Sequence, residues 1–167
     1  PGANPSQLAV LNKFDNIQKL IGSSIAEHSD TLIGPNTDTR FNISGENSGN
    51  VSWQSIEDPA VTITIDFAGI ENLQGGSMKD TFAFTENGKL TGAIWGGAGE
   101  NWLDYSSFNQ DDLDEAERGV TVNLLAGIIR GLTGLLSEVN NIIGTKYNDM
   151  LTGSLSDNII LGLAGND

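Results

Sequence analysis

Near its C-terminal end the chain counts in nines, and that count limits what it can fold into. Residues 144–152 read Gly144-Thr-Lys-Tyr-Asn148-Asp149-Met-Leu151-Thr, and residues 153–161 read Gly153-Ser-Leu-Ser156-Asp157-Asn158-Ile-Ile160-Leu. Residues 162–167 open a third copy, Gly162-Leu-Ala-Gly165-Asn166-Asp167. Each copy begins with glycine and sets a carboxylate or amide near its middle; the complete copies add an aliphatic residue two positions on. A short fixed period of this kind is the mark of a stacked array, in which each unit buries its apolar edge against the next.

These residues resemble the repeat-in-toxin (RTX) nonapeptide, Gly-Gly-x-Gly-x-Asp-x-U-x with U aliphatic. The resemblance implies six residues of tight turn followed by a three-residue strand, with two nonapeptides completing one coil of a parallel β-roll. Asp149 and Asp167, two repeats apart, would then share one edge in neighbouring turns, and Asn158 would lie on the opposite edge. Stacked carboxylates repel unless a cation lies between them, and Ca²⁺, which takes six to eight oxygens from carboxylates and carbonyls, is the natural occupant. The implied metal row is Asp149 and Asp167 with Asn148, Asp157, Asn158, Gly165 and Asn166. Thr145, Ser154 and Leu163 stand where a second glycine is usual, and Asn158 where aspartate is usual. These departures imply a weaker or partly filled row; the competing reading is a set of Gly, Asn and Asp turns without metal.

The 22 acidic against 8 basic residues give a net charge of −14. Such a balance repels phosphate-rich partners and argues against nucleic-acid binding. Without cysteine, disulfides, zinc–thiolate sites and thiol catalysis are excluded. The N-terminus carries no basic and apolar leader pattern, and Arg130 breaks the longest apolar candidate, residues 124–136, so no membrane insertion is expected. The third repeat is cut short at Asp167, which suggests a piece of a longer polypeptide.

A second, longer repeat is also present. Phe14, Ile17 and Leu20 precede Gly22; Phe67, Ile70 and Leu73 precede Gly75; Leu136, Val139 and Ile142 precede Gly144. Each set leads into an Asp-x-Leu/Phe step, at Asp30, Asp80 and Asp149, the first after a turn three residues longer. By the same comparison residues 34–41 parallel residues 76–82, with Asp38 standing opposite Asp80, and residues 44–50 parallel 85–90. Residues 61–66 parallel 119–124, and both alternate apolar with polar side chains, as a half-buried strand does. Leu8, Leu11, Ile17, Leu20 and Ile21 also fit a helical face capped by Ser6, but the repeat favours strand, with the spacing of three marking a corner. The blocks resemble the β-rich segments that precede RTX repeats in very large secreted bacterial proteins. The acidic run 111–117 reads as a solvated loop or short helix. The 21 glycines and 4 prolines suit many tight turns between short strands.

In mid-chain, Gly96-Gly-Ala-Gly-Glu100-Asn101-Trp-Leu103-Asp104 is a nearly complete single nonapeptide. It reads as a glycine-rich turn that sends Leu103 into the core, with Asp80, Glu100, Asn101 and Asp104 as secondary metal candidates. Catalysis needs a base, an acid and a charge-neutralising group on one face. The single histidine, His28, lies in a polar turn, Arg40, Arg118 and Arg130 are scattered, and nucleophile-elbow, phosphate-loop and zinc-protease motifs are missing. No enzyme is expected. Trp95 and Trp102 flank the mid-chain turn as candidate glycan contacts, Trp53 and Tyr105 being further aromatics able to stack on sugars; core packing is the competing role.

The expected fold is all-β: a right-handed parallel β-solenoid, irregular over residues 1–135 in two long repeats (about 14–66 and 67–135), with an RTX-type β-roll starting at 136–167. The expected function is a non-enzymatic, calcium-stabilised structural or adhesive module of a large secreted or cell-surface bacterial protein, exported by a type I route as the resemblance implies. The alternatives are a carbohydrate-binding accessory module and a self-assembling extracellular fibre or surface-layer subunit. Expected partners are calcium and either extracellular polysaccharide or other copies of the chain.

Overall fold

A computed structural model describes residues 9–10, 17–23, 25, 28–111, 113 and 118–167. The secondary structure of these residues is all β, in three sheets. Five short strands, β1 (Ala9–Val10), β3 (Thr31–Ile33), β7 (Asn72–Gln74), β9 (Ile94–Trp95) and β12 (Leu136–Ser137), stack in that order, all parallel. An eight-stranded sheet contains β2 (Lys19–Ile21), β4 (Thr39–Gly45), β5 (Ser48–Gln54), β6 (Thr62–Ala68), β8 (Asp80–Phe84), β10 (Trp102–Asp104), β13 (Asn141–Ile143) and β15 (Ile160–Leu161), ordered β15-β13-β10-β8-β4-β5-β6-β2. It is parallel throughout except where β5 pairs antiparallel with β4 and with β6. The third sheet is the parallel pair β11 (Thr121–Asn123) and β14 (Met150–Thr152).

In-register parallel pairing puts like residues on like, and the core is built that way. Leu32, Leu73, Ile94 and Leu136 follow one another along the first sheet, and Phe41, Phe82, Leu103 and Ile142 along the second. All eight are buried, and the Phe41 and Phe82 rings lie parallel at 5.0 Å. Leu103 is fully buried, as its place in the mid-chain nonapeptide predicts. Ile142 pairs with Ile160, two nonapeptides later, with β14 between them on the other side of the chain's path. Both alternating segments form strands, β6 and β11, although they enter different sheets.

The spacing of three does mark corners. Residues 69–71 join β6 to β7, and residues 138–140 join β12 to β13. Gly69 and Glu138, two residues after Phe67 and Leu136, both have left-handed backbones, at φ 66° and 60°. Left-handed φ is unstrained for glycine and costly for a side chain that crowds the following carbonyl.

Three readings of the longer repeat are corrected. The copies do not superpose by their anchors: Leu73 aligns with Leu136, while Ile142 aligns with Phe82. The corner motif is thus used once on each side of the chain's path, because its chemistry is local and does not specify which sheet receives the next strand. Asp38 is not the counterpart of Asp80; Thr39 is, since Phe41 pairs with Phe82 and an extra residue precedes it. Lastly, residues 48–68 leave the parallel stack for an antiparallel meander through β5 and β6. Of the first copy, Lys19–Ile21 is strand; Ser6, Leu8, Leu11 and Phe14 lie outside the described residues. In the acidic run Asp111 and Leu113 are exposed, and the rest lies outside the described residues.

Candidate metal centre in two columns of turn residues

Where the strands begin, the residue that ends each turn stacks on its counterpart in the next pass. One column, leading into the eight-stranded sheet, is Thr39, Asp80, Asn101, Asn140 and Asn158. The other, leading into β11 and β14, is Val120, Asp149 and Asp167. Asp149 and Asp167 therefore share one edge and Asn158 lies on the other, as the nine-residue phase requires. The columns are held by hydrogen bonds from the backbone to the stacked side chains. The Asp80 amide donates to Asn101 Oδ1 (3.0 Å), the Val120 amide to Asp149 Oδ1 (2.8 Å) and the Asp149 amide to Asp167 Oδ1 (3.0 Å).

Three of the turns are also closed internally by a bond from an amide four residues back. Thr145 N donates to Asp149 Oδ2 at 2.6 Å, Ser154 N to Asn158 Oδ1 at 2.8 Å, and Gly76 N to Asp80 Oδ2 at 2.8 Å. Two of the three residues that replace the second glycine of the repeat add a further bond. The Thr145 hydroxyl donates to Asp149 Oδ1 at 2.8 Å, and the Ser154 hydroxyl accepts from Asn158 Nδ2 at 2.8 Å. Asp149 thus receives three donors while 7% exposed. A departure that weakens the metal row on the sequence pattern is, in the fold, a built-in hydrogen-bond partner for the turn carboxylate.

Asp80 lacks that partner. It is fully buried, Gly76 stands where Thr145 and Ser154 do, and its Oδ1 has no hydrogen-bond partner. Burial pushes its carboxyl up to about 7, against the pull of the Gly76 amide and of the nearby Thr39 hydroxyl, whose own hydrogen bond goes to the Thr37 carbonyl at 2.8 Å, and the nearby Asp38 charge adds to the rise. The other orphaned buried oxygen among the described residues is Thr37 Oγ1, in the turn leading into β4 alongside. An ionised carboxylate oxygen buried without a partner carries a desolvation cost of several kcal/mol, roughly, that a cation or a proton would relieve.

The remaining candidates fall as follows. Asn148 Oδ1 accepts the Asn166 amide at 2.8 Å, and both residues are exposed beside Asp149 and Asp167. A β-carbon on Gly165 would meet the Tyr147 carbonyl oxygen at 2.3 Å, so this glycine is required by close stacking of successive turns. Asp157 is exposed. Of the mid-chain set, Asp80 and Asn101 come together, but Glu100 accepts from Trp102 Nε1 (3.0 Å) and Asp104 is ion-paired to Arg40 (2.9 Å). Asn101 Nδ2 is committed to the carbonyls of Gly97, Ala98 and Glu138. Among the described residues no three Asp, Glu or His side chains gather around one point. Any cation here would draw carbonyl and amide oxygens together with one or two carboxylates, a donor set that suits a hard ion.

Trp102 is 7% exposed with the Lys79 ammonium 5.1 Å over its ring, whereas Trp95 is half-buried. The exposed indole pair expected of a glycan patch at the mid-chain turn is therefore not formed. Trp102 stands in register between Thr81 and Asn141, on the face opposite its core neighbour Leu103, and its ring is covered there by Lys79. Tyr105 is fully buried and donates to the Arg130 carbonyl at 2.7 Å. His28 is exposed. No helix among the described residues is long and apolar enough to cross a membrane. No protein-family model, curated protein or solved structure matches the chain.

Proposed function

We infer that the chain is a non-enzymatic structural or adhesive module of a large secreted or cell-surface bacterial protein, a right-handed parallel β-solenoid stabilised by calcium. The observation that carries this reading is the register of the last two passes: Ile142 on Ile160 and Asp149 on Asp167, both two nonapeptides apart. Columns of stacked carboxylates and amides serve a scaffold, because they fix the rise from one pass to the next and satisfy the turn amides. Calcium would be held by Asp80 with neighbouring turn oxygens on one edge. On the other edge it would be held by Asp149 and Asp167, with Asn148, Asn166 and the carbonyls near Gly165. Asp80 supports the ion best, since its Oδ1 is buried without a donor; Asp149, already given three donors, would need it less.

Bound calcium supplies positive charge to a chain of net charge −14 and couples its folding to the ion. Extracellular modules bind calcium at about 10⁻⁴ to 10⁻³ M, which keeps such a module metal-free inside a cell and loaded outside it. The test is a calcium titration followed by far-ultraviolet circular dichroism and thermal melting, on wild type and Asp80→Asn. A rise in melting temperature near millimolar calcium, reduced in the variant, is expected; a wild type unmoved between excess chelator and calcium would remove the metal from this reading.

A further inference from the structure

We propose that Tyr147 is the latch of a clasp between the β10–β11 connection and the first nonapeptide turn, and that through it closure of the clasp and cation binding at the Asp149 edge favour each other. The coupling rests on the calcium reading above; the clasp rests on geometry alone. β10 pairs with β13 and β11 with β14, so the connection from β10 to β11, residues 105–120, takes the place of a nonapeptide turn beside residues 144–149. At the fourth position of the nonapeptide the other copies hold Gly99, Ser156 and Gly165. A β-carbon on Gly99 or Gly165 would meet a carbonyl oxygen of the preceding pass, Met78 at 2.2 Å or Tyr147 at 2.3 Å. Tyr147 has the longer connection for its preceding pass, and meets it with a side chain.

The contacts form a closed ring through both segments. The Tyr147 hydroxyl accepts the Gln110 amide at 2.8 Å and donates to Asp111 Oδ1 at 2.8 Å. The Tyr147 amide donates to Thr145 Oγ1 at 3.0 Å, and the Thr145 hydroxyl donates to Asp149 Oδ1. Asp149 Oδ1 also accepts the Val120 amide, and the adjacent Gly119 amide donates to Gln110 Oε1 at 3.0 Å, which closes the ring. Gln110 is 4% exposed and Asp149 7%, so these bonds lie where water is a poor substitute for a lost partner. Outside the ring Lys146 pairs with Asp111 at 2.9 Å, and the Arg118 guanidinium, bonded to the Asp111 and Leu113 carbonyls, stands 5.6 Å from the centre of the Tyr147 ring. The Lys146–Asp111 pair is exposed and contributes little. That leaves the phenol hydroxyl as the group that fastens Gln110 and Asp111 to the turn.

The same residue reaches the Asp149 edge through its backbone. The Tyr147 carbonyl oxygen lies against Gly165 of the next pass, among the oxygens assigned above to an ion held by Asp149 and Asp167. With the latch closed, this carbonyl and the Asp149 carboxylate are both positioned before an ion arrives, so less ordering accompanies binding. By linkage, an ion at this edge tightens the clasp by the same factor. Tyr147 is thus a positioning residue, acting on the edge through Thr145 and its own carbonyl.

The experiment follows backbone amides of the whole chain by NMR, in wild type and in Tyr147→Phe, which keeps the ring and removes the hydroxyl. In excess chelator the Gln110 and Gly119 amides are expected to exchange with deuterated water about tenfold or more faster in the variant. The Phe82 and Leu103 amides of the core strands are expected to exchange as in wild type, which verifies the fold. A calcium titration read at the Val120 amide, which is bonded to Asp149, is expected to reach its midpoint at about fivefold higher calcium in the variant. Asp111→Ala, at an exposed position, is expected to act in the same direction more weakly. Exchange at Gln110 and Gly119 unchanged in both variants would overturn the clasp. Faster exchange with an unchanged calcium midpoint would overturn the coupling and leave Tyr147 a packing residue. A wild-type Val120 amide indifferent to calcium would remove the ion from this edge and the coupling with it, while faster exchange in Tyr147→Phe would still uphold the clasp.

Discussion

The turn at Asp80 and the turn at Asp149 are built on the same spacing and reach opposite electrostatic states. In both, glycine opens the turn, an amide four residues back closes on the carboxylate, and the next strand follows at once. At Asp149 the residue after the glycine is Thr145, whose hydroxyl completes the carboxylate's partners. At Asp80 it is Gly76, and one oxygen is left buried and alone. The fold permits no hydroxyl there, because a β-carbon on Gly76 would stand 2.2 Å from the Pro35 carbonyl oxygen of the preceding pass. One crowded backbone contact thus decides whether a turn carboxylate is self-sufficient or in need of a proton or cation.

The sharpest way to break this comparison is to delete the self-sufficient carboxylate. Asp149→Ala leaves the buried amides of Val120 and Thr145 without their acceptor, and the expected loss is about 3 kcal/mol in urea unfolding with chelator present. A loss under about 1 kcal/mol would mean that water replaces the carboxylate and that the column is not a structural device.

The pH dependence should be of unusual sign for an acid. Asp80 titrates at about 7 in the fold against 3.8 as an ordinary aspartate, so the folded chain retains a proton that the unfolded chain has released. Its contribution is complete below the unfolded value and is lost as pH rises through about 7. In chelator the melting temperature should therefore fall between about pH 4 and pH 7 and level off above, and Asp80→Asn should flatten that fall. A wild-type curve parallel to that of Asp80→Asn would show that the buried oxygen finds another partner.

The smallest effect concerns backbone strain at the last turn. Leu163 occupies the second-glycine position with φ 74°, close to the 79° of Gly97 in the mid-chain nonapeptide. Leu163→Gly should stabilise the chain by about 0.5–1 kcal/mol in the same unfolding assay, the left-handed cost being greater than glycine's entropy. A neutral or negative result would show that this last turn relaxes to another conformation.

Much of the site was legible in the residues. The count of nine placed Asp149 beside Asp167 and opposite Asn158, the mid-chain nonapeptide sent Leu103 inward, and the spacing of three marked the corners at 69–71 and 138–140. What the residues did not disclose was phase. Thr39, not Asp38, faces Asp80 because one extra residue slips in before Phe41. The third copy of the long repeat lies on the other side of the chain's path, because the same glycine turn serves both edges. Trp102 reads as a surface aromatic beside a polar turn, yet it is covered by neighbouring passes and by Lys79.

The sequence by itself determined the all-β class, the turn-by-turn rhythm and which residues stack in the last two passes, since turn and strand preferences are set by contacts within a few residues. Only the tertiary structure decided that β5 and β6 would fold out antiparallel, that Tyr147 would meet the β10–β11 connection, and that Asp80 would be the deprived carboxylate. Each of those outcomes depends on which pass lies above which, through contacts between residues some forty positions apart such as Gly76 with Pro35, and no local pattern encodes them.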